Sequence, residues 1–154
     1  MSLDIVIQQS SGGVSDLACV RELRYEILRK PHGMLLSSAV FPGDENESTI
    51  HVLALSESKP VGCASLFVDE SDAMQLRGMA VATDWQRRGI GHRIGETIKD
   101  IAISKGKTMW CNARFSAIGF YERQGWVKSG SFFDVPVIGQ HIVMNWVGNV
   151  KNIG

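Results

Sequence analysis

Neither sign of charge prevails in this chain: 16 Lys and Arg balance 16 Asp and Glu, for a formal net charge of zero. No global field gathers nucleic acid or an anionic membrane, so the Arg87, Arg88, His92 and Arg93 cluster is a local device, and no nucleic-acid partner is expected. Long apolar runs are missing too. No stretch approaches the ~18 apolar residues of a membrane span, and the amino terminus opens on a polar-apolar alternation (Leu3, Ile5, Ile7) in place of a basic-then-apolar leader. The expectation is a cytoplasmic protein with no membrane partner. Cysteine is scarce: Cys19, Cys63 and Cys111 are odd in number, widely spaced and set among apolar neighbours, which suits reduced, buried thiols. His32, His51, His92 and His141 are dispersed and no H-x-x-x-H or C-x-x-C spacing occurs, so no metal is expected.

What the chain does have is enough apolar residues, 44% of 154, for one domain over residues 1–154 with a single core. Its most informative stretch is Gln86-Arg87-Arg88-Gly89-Ile90-Gly91-His92, between the apolar run at 76–82 and an amphipathic segment that continues to Lys105. A strand, a short basic-glycine loop and a helix in that order offer backbone N–H groups to a phosphate. Two glycines let the main chain approach a ligand that a Cβ would block, and the helix N-terminus adds partial positive charge.

Residues 3–9 alternate as a strand does, and Ser11-Gly12-Gly13 breaks it before a helix capped by Ser15 and favoured by Asp16 in its first turn. That helix should end before Pro31. Leu17, Val20, Leu23, Ile27 and Leu28 form its packing stripe, while Arg21, Glu22, Arg24 and Glu26 lie largely off the stripe on a wet or functional face. Residues 32–40 read as a short helix or lid, and 41–47 as a turn-rich acidic loop. Strands at 49–55, 61–68 and 74–82 follow, with connections short enough for an antiparallel meander. Ile90, Ile94, Ile98, Ile101 and Ala102 then mark a helix, with Gly106 where a left-handed cap belongs. A buried strand at 107–112, a helix at 116–124 and closing strands at 126–133 and 140–147 complete the chain. The crossover helix between 74–82 and 107–112 implies one parallel pair, and a ligand would sit where those two strands part. The fold class is mixed α/β: a mostly antiparallel, partly splayed sheet of six to seven strands with helices on both faces.

These residues resemble the GNAT-type N-acetyltransferase superfamily, which moves an acetyl group from acetyl-CoA to an amine. Gln86-Arg87-Arg88-Gly89-Ile90-Gly91 matches its pyrophosphate signature, Q/R-x-x-G-x-G/A, in full. Asn112-Ala113-Arg114, Ala117, Phe120-Tyr121 and Gly125-Trp126 resemble the N-A-R-x-x-A-x-x-F-Y-x-x-x-G-F pattern of one branch. The resemblance is specific over 76–126 and loose over the first 60 residues. There, Leu23-Arg24 through Leu28-Arg29 with Pro31 and Gly33 looks like that branch's first helix and the turn after it. Trp126 stands where Phe is commoner, and Asp84 where a proline is often found.

The resemblance implies an acyl-CoA N-acyltransferase-like fold with acetyl-CoA as cosubstrate and no metal. N–H groups of Arg87, Arg88, Gly89, Ile90, Gly91 and His92 would bind the pyrophosphate. The pantetheine arm would lie along the backbone of Met79, Ala80 and Val81, where a bulge would aim an N–H at the thioester carbonyl. Tyr121 would protonate the leaving thiolate, since a phenol of pKa near ~10 keeps its proton at neutral pH. Asn112 would pair with a pantetheine amide or tie down the loop before the next helix. Arg114 would serve a salt bridge or greet an anionic acceptor.

The acceptor amine must lose a proton before attack, and His51, Gln75, Asp69, Glu70 and His141 are the candidate bases. The expected reaction is direct attack of a primary amine on acetyl-CoA, with a small molecule as acceptor because no long groove-forming insertion exists. Family habit implies a homodimer through the terminal strands. Two other readings stand beside this one. A dinucleotide-dependent oxidoreductase would use Gly89-x-Gly91-x-x-x-Gly95, a spacing that departs from G-x-G-x-x-G and lacks an acidic residue ~20 positions on. A non-catalytic acyl-CoA sensor would keep the phosphate loop and dispense with Tyr121.

Overall fold

The computed structural model describes residues 4–12 and 16–148. Leu3, Gly13 and Ser15, named above for the first strand and the helix cap, lie outside the described residues. Among the described residues seven strands form one mixed sheet in the order β1-β2-β3-β4-β5-β7-β6. They are β1 (Ile5–Ser11), β2 (Ile50–Ser56), β3 (Lys59–Val68), β4 (Met74–Val81), β5 (Met109–Arg114), β6 (Val127–Val135) and β7 (Gly139–Trp146).

The meander β2-β3-β4 forms because each connection has its own turn chemistry. Glu57 and Ser58 both take positive φ (49° and 67°) and close the β2–β3 hairpin in two residues. Between β3 and β4 the Asp69 carboxylate accepts from the N–H groups of Ser71 (2.8 Å) and Ala73 (3.0 Å) and from Trp110 Nε1 (2.7 Å). Asp69 therefore builds a turn and anchors β5, a structural role in place of the candidate base.

Helix α2 (Ile90–Lys105) is the crossover between the parallel strands β4 and β5. Its stripe of Ile90, Ile94, Ile98, Ile101 and Ala102 is buried with Val52, Ala54, Val61, Ala64 and Leu66 on one side of the sheet. Helix α1 (Asp16–Arg24) packs Val20 and Leu23 against Leu53, Cys63 and Ala80, which the strand alternation points to the opposite side. Gly106 ends α2 at φ 63°, with the Lys107 N–H reaching the Ala102 carbonyl at 2.9 Å.

Three expectations need correction. The first helix does not simply stop before Pro31: it widens into a π turn over Tyr25–Arg29 and tightens into a 3-10 turn over Lys30–His32, ended by Gly33 at φ 71°. The helix expected at 116–124 is shorter, a 3-10 turn over Phe115–Ala117 running into α3 (Ile118–Arg123). Arg24, assigned above to the off-stripe face, is fully buried: Nη1 and Nη2 donate to the Asp44 carboxylate at 2.8 Å each, Nη2 to Ser65 Oγ at 2.8 Å, and Nη1 to the Ala39 carbonyl at 3.0 Å. The acidic loop bends inward to supply Asp44, itself buried, so that face of α1 is covered by the segment that follows it.

Candidate active site

Only Met74↔Met109 and Gln75↔Trp110 pair β4 with β5, and beyond them the two strands diverge. A β-bulge sets the divergence. Cys63 faces Ala80 and Ser65 faces Arg77, so Gly78 and Met79 together oppose Ala64 alone. The extra residue bends β4 and leaves backbone outside the ladder. Gly78 takes φ 67°, and a Cβ there would stand 2.7 Å from Arg24 Nε and 3.1 Å from Phe41 Cε2. Conformation and close packing both require glycine at the bend, and the buried Arg24–Asp44 pair supports it from behind.

The opening holds a cavity of ≈ 330 Å³ whose lining includes Gln75, Met79, Asn112, Tyr121 and His141. Tyr121 is fixed by edge contacts with Phe120 and a tilted contact with Trp126, both with ring centroids 5.3 Å apart. Burial, and to a lesser degree Cys111, pushes its phenol above the ordinary value, partly opposed by Arg114. The hydroxyl therefore keeps its proton at neutral pH. Cys111 also lines the cavity, but burial raises its thiol to about 12, so it stays protonated and is no nucleophile. His141 Nδ1 lies 2.7 Å from the Gly139 carbonyl. A carbonyl only accepts, so Nδ1 carries a proton, and in the neutral ring Nε2 is the nitrogen that bears the lone pair.

Three arginines line the same cavity: Arg29 from the π turn, Arg77 just before the bulge, and Arg114 at the end of β5. Arg29 is held below its ordinary pKa by burial and then by the charges of Arg114, Arg77 and Arg24. Burial does the same to Arg77 and Arg114, with Arg24 adding to the effect on Arg77.

A second cleft, ≈ 610 Å³, lies at the start of α2 and is lined by Val81, Trp85, Gln86, Arg87, Gly89, Gly91, His92 and Phe120, among others. Gly89 is the N-cap at φ 82° and makes no side-chain cap bond, and the first intrahelical bond is Arg93 N–H to the Gly89 carbonyl at 3.1 Å. The N–H groups of Ile90, Gly91 and His92 thus have no partner inside the helix. Arg87, at φ 63°, is a non-glycine residue held in the left-handed region beside them. An uncapped helix end beside a glycine-lined cleft fits a pyrophosphate.

The structure therefore gathers Met79, Asn112 and Tyr121 around the first cavity and Val81, Arg87, Gly89, Gly91 and His92 around the second. Three residues line neither. Ala80 is buried against α1, the Ile90 side chain belongs to the core, and Arg88 lies over the Trp85 ring at 5.0 Å. Among the candidate bases, Gln75 and His141 line the cavity and the others do not. His51 is buried with Nδ1 2.7 Å from Ser65 Oγ and Nε2 2.8 Å from the Asp44 carbonyl, while Glu70 is exposed beyond the sheet. Sequence reading missed Arg29, Arg77 and Phe41. Arg77-Gly78, interrupting the apolar residues Leu76 and Met79 to Val81, was the signal for the bend.

The family model described as the acetyltransferase (GNAT) family matches residues 17–126. The chain is 32% identical over 130 residues to an uncharacterized N-acetyltransferase, YitI, of Bacillus subtilis strain 168, covering 80% of this chain and 86% of that one. Its structure is similar to that of Escherichia coli ElaA, with a TM-score of 0.80 at 17% identity over 92% of this chain and 99% of that one. It is also similar to an aminoglycoside 6'-N-acetyltransferase complexed with coenzyme A, with a TM-score of 0.69 at 18% identity over 90% and 95% of the two chains. At such identities the two structural likenesses show the fold.

Proposed function

We propose, from the premise that this chain belongs to the acetyltransferase (GNAT) family and is an acyltransferase, that it transfers acetyl from acetyl-CoA to a small primary amine by direct attack. Family membership removes the oxidoreductase reading, and the retention of Tyr121 at the cavity argues against the sensor. The observation that carries the proposal is the parting of β4 and β5 over a cavity that holds both Tyr121 and His141. Acetyl-CoA, when bound, supplies an acetyl thioester.

The free N–H groups of Ile90, Gly91 and His92, with the backbone of Arg87 to Gly89, hold the pyrophosphate at the second cleft. Met79 and Val81, which line the first and second clefts respectively, place the strand edge along the path of the pantetheine arm, and Asn112 offers its amide from the opposite strand. The bulge at Gly78 and Met79 leaves backbone able to donate to the carbonyl oxygen as it gains charge. His141 Nε2 accepts a proton from the acceptor amine. Tyr121 gives its phenolic proton to the departing sulfur, and Arg114 stabilises the phenolate until it is protonated again. Three cysteines without disulfides support a reducing, cytoplasmic location. Val127, Phe132 and Phe133, exposed on β6 at the edge of the sheet, support a homodimer formed through that strand.

The test is release of free CoA from acetyl-CoA across a panel of primary amines, with Tyr121→Phe as the paired variant. The phenylalanine keeps the ring packing and removes the proton. Its kcat should fall by about 10²–10⁴-fold with little change in acetyl-CoA affinity. An unchanged kcat sinks the proton-donor role.

A further inference from the structure

Arg29, Arg77 and Arg114 converge on the acceptor cavity from three separate elements, and among the described residues no Asp or Glu lines it. Among the described residues none of the three forms an ion pair with a carboxylate. Their contacts are with carbonyls, an aromatic ring and, for Arg114 Nη1 at 3.4 Å, His32 Nε2. Arg29 Nε donates to the Ser38 carbonyl at 3.3 Å, Arg114 Nη2 to the Leu28 carbonyl at 3.1 Å, and the Arg77 guanidinium lies 4.1 Å from the centre of the Phe41 ring. Such contacts fix the geometry of three cations without giving any of them a direct carboxylate partner, and Asp44, already paired with Arg24, reaches Arg77 only through its charge. Arg24 shows the contrast: fully buried, it is neutralised by Asp44.

We infer that the acceptor is a primary amine carrying an oxyanion, a carboxylate or a phosphonate, which Arg77 and Arg29 bind with Arg114 beside them. The inference rests on the acetyl-transfer reading above. The phosphates of the cofactor do not supply the missing charge, because they belong to the second cleft, which shares no lining residue with this cavity. Cationic acceptors such as polyamines meet like charge. A volume of ≈ 330 Å³ suits a molecule of amino-acid size. The same three charges disfavour the ammonium form of the bound acceptor, which helps His141 leave its nitrogen free to attack.

The test compares β-alanine, glutamate and 2-aminoethylphosphonate with uncharged propylamine and ethanolamine and with cationic spermidine, all with acetyl-CoA and read by free CoA. An anionic acceptor should be favoured in kcat/KM by about 10-fold or more over the uncharged amines. Arg77→Gln, and separately Arg29→Gln, should collapse that ratio chiefly through KM, with acetyl-CoA binding by calorimetry retained. Preference for spermidine or for an uncharged amine overturns the inference while leaving acetyl transfer standing. So does a ratio that neither variant moves. Faster turnover of an uncharged amine with succinyl-CoA than with acetyl-CoA would assign the anion to the acyl group and overturns it as well. A wild-type protein that binds acetyl-CoA, yet is neither turned over nor thermally stabilised by any of the three anionic amines, also overturns it. Failure to bind acetyl-CoA at all strikes instead at the function proposed above.

Discussion

Arg24, Asp44, Ser65 and His51 form a closed chain of donors and acceptors behind the bulge. Ser65 Oγ accepts from Arg24 and His51 Nε2–H donates to the Asp44 carbonyl; with the imidazole neutral, the Ser65 hydroxyl donates to Nδ1. The neutral ring thus satisfies every link. For Asp44, burial alone would raise the carboxyl pKa, but hydrogen bonds from Arg24 and the Phe41 N–H, with the Arg24 charge, outweigh burial and hold it low. For His51, burial, aided by the Arg24 and Arg21 charges, outweighs the pull of Asp44 and holds the imidazole below its ordinary value. The consequence is a signed pH dependence. In the unfolded chain this histidine takes up a proton as pH falls through ~6.5, whereas the folded protein resists until lower pH. Stability is therefore fully present above pH ~6.5 and declines below it, by at most about 1.4 kcal/mol per pH unit for one such group. Thermal melts of wild type and His51→Gln between pH 8 and 5 should show a shallower decline in the variant, whatever its absolute midpoint. Parallel curves would remove His51 as the source.

At the scale of single elements, two glycines of α2 separate binding from packing. A Cβ on Gly91 would stand 3.3 Å from Phe120 Cε1 at the wall of the second cleft, a contact that a small ring shift relieves. A Cβ on Gly95 would overlap the buried side chain of Gln124. Gly91→Val should therefore weaken acetyl-CoA binding by about 100-fold or more while shifting the melting midpoint by only a few degrees, since the loss is of access to the helix N–H groups. Gly95→Ala is the control and should act mainly on stability, by about 1–3 kcal/mol of overpacking. Calorimetry and melting on the pair decide it: the assignment fails if Gly91→Val binds acetyl-CoA as wild type does.

The helix bearing these glycines was legible because its apolar residues repeat strictly and its ends carry glycine signals. So were the meander and the parallel pair, whose turns are short and polar. The buried Arg24 was illegible, because helical periodicity assigns a face from the helix alone, and the loop that covers that face arrives 20 residues later carrying the neutralising carboxylate. The cationic cavity was half legible. Arg114 stood within a motif, but Arg29 and Arg77 become its neighbours only through a π turn and a bulge, and neither has a periodicity to read.

For the molecule as a whole, the sheet is two units, β1-β2-β3-β4 and β5-β7-β6, with only two residue pairs between them. Helix α2 also spans the two, since its buried stripe belongs to the same core as Met109, Cys111 and Ala113 of β5. The far end of the seam is consequently closed by side-chain packing on one face and by little backbone pairing, so a cosubstrate inserted there would bridge strands that the protein leaves apart. Two effects should follow from one cause. By mass action, acetyl-CoA at about 100 times its Kd adds about 2.7 kcal/mol to stability, which for a chain of this size raises the melting midpoint by about 5–10 °C. Hydrogen exchange should locate the gain, with amides from Gly78 to Val81 and from Asn112 to Arg114 slowing more than those of β2 and β3, which are already paired on both sides. A midpoint that rises with protection spread evenly over the sheet would mean that the ligand binds without bridging the seam, and the division of the sheet would then have no part in holding it.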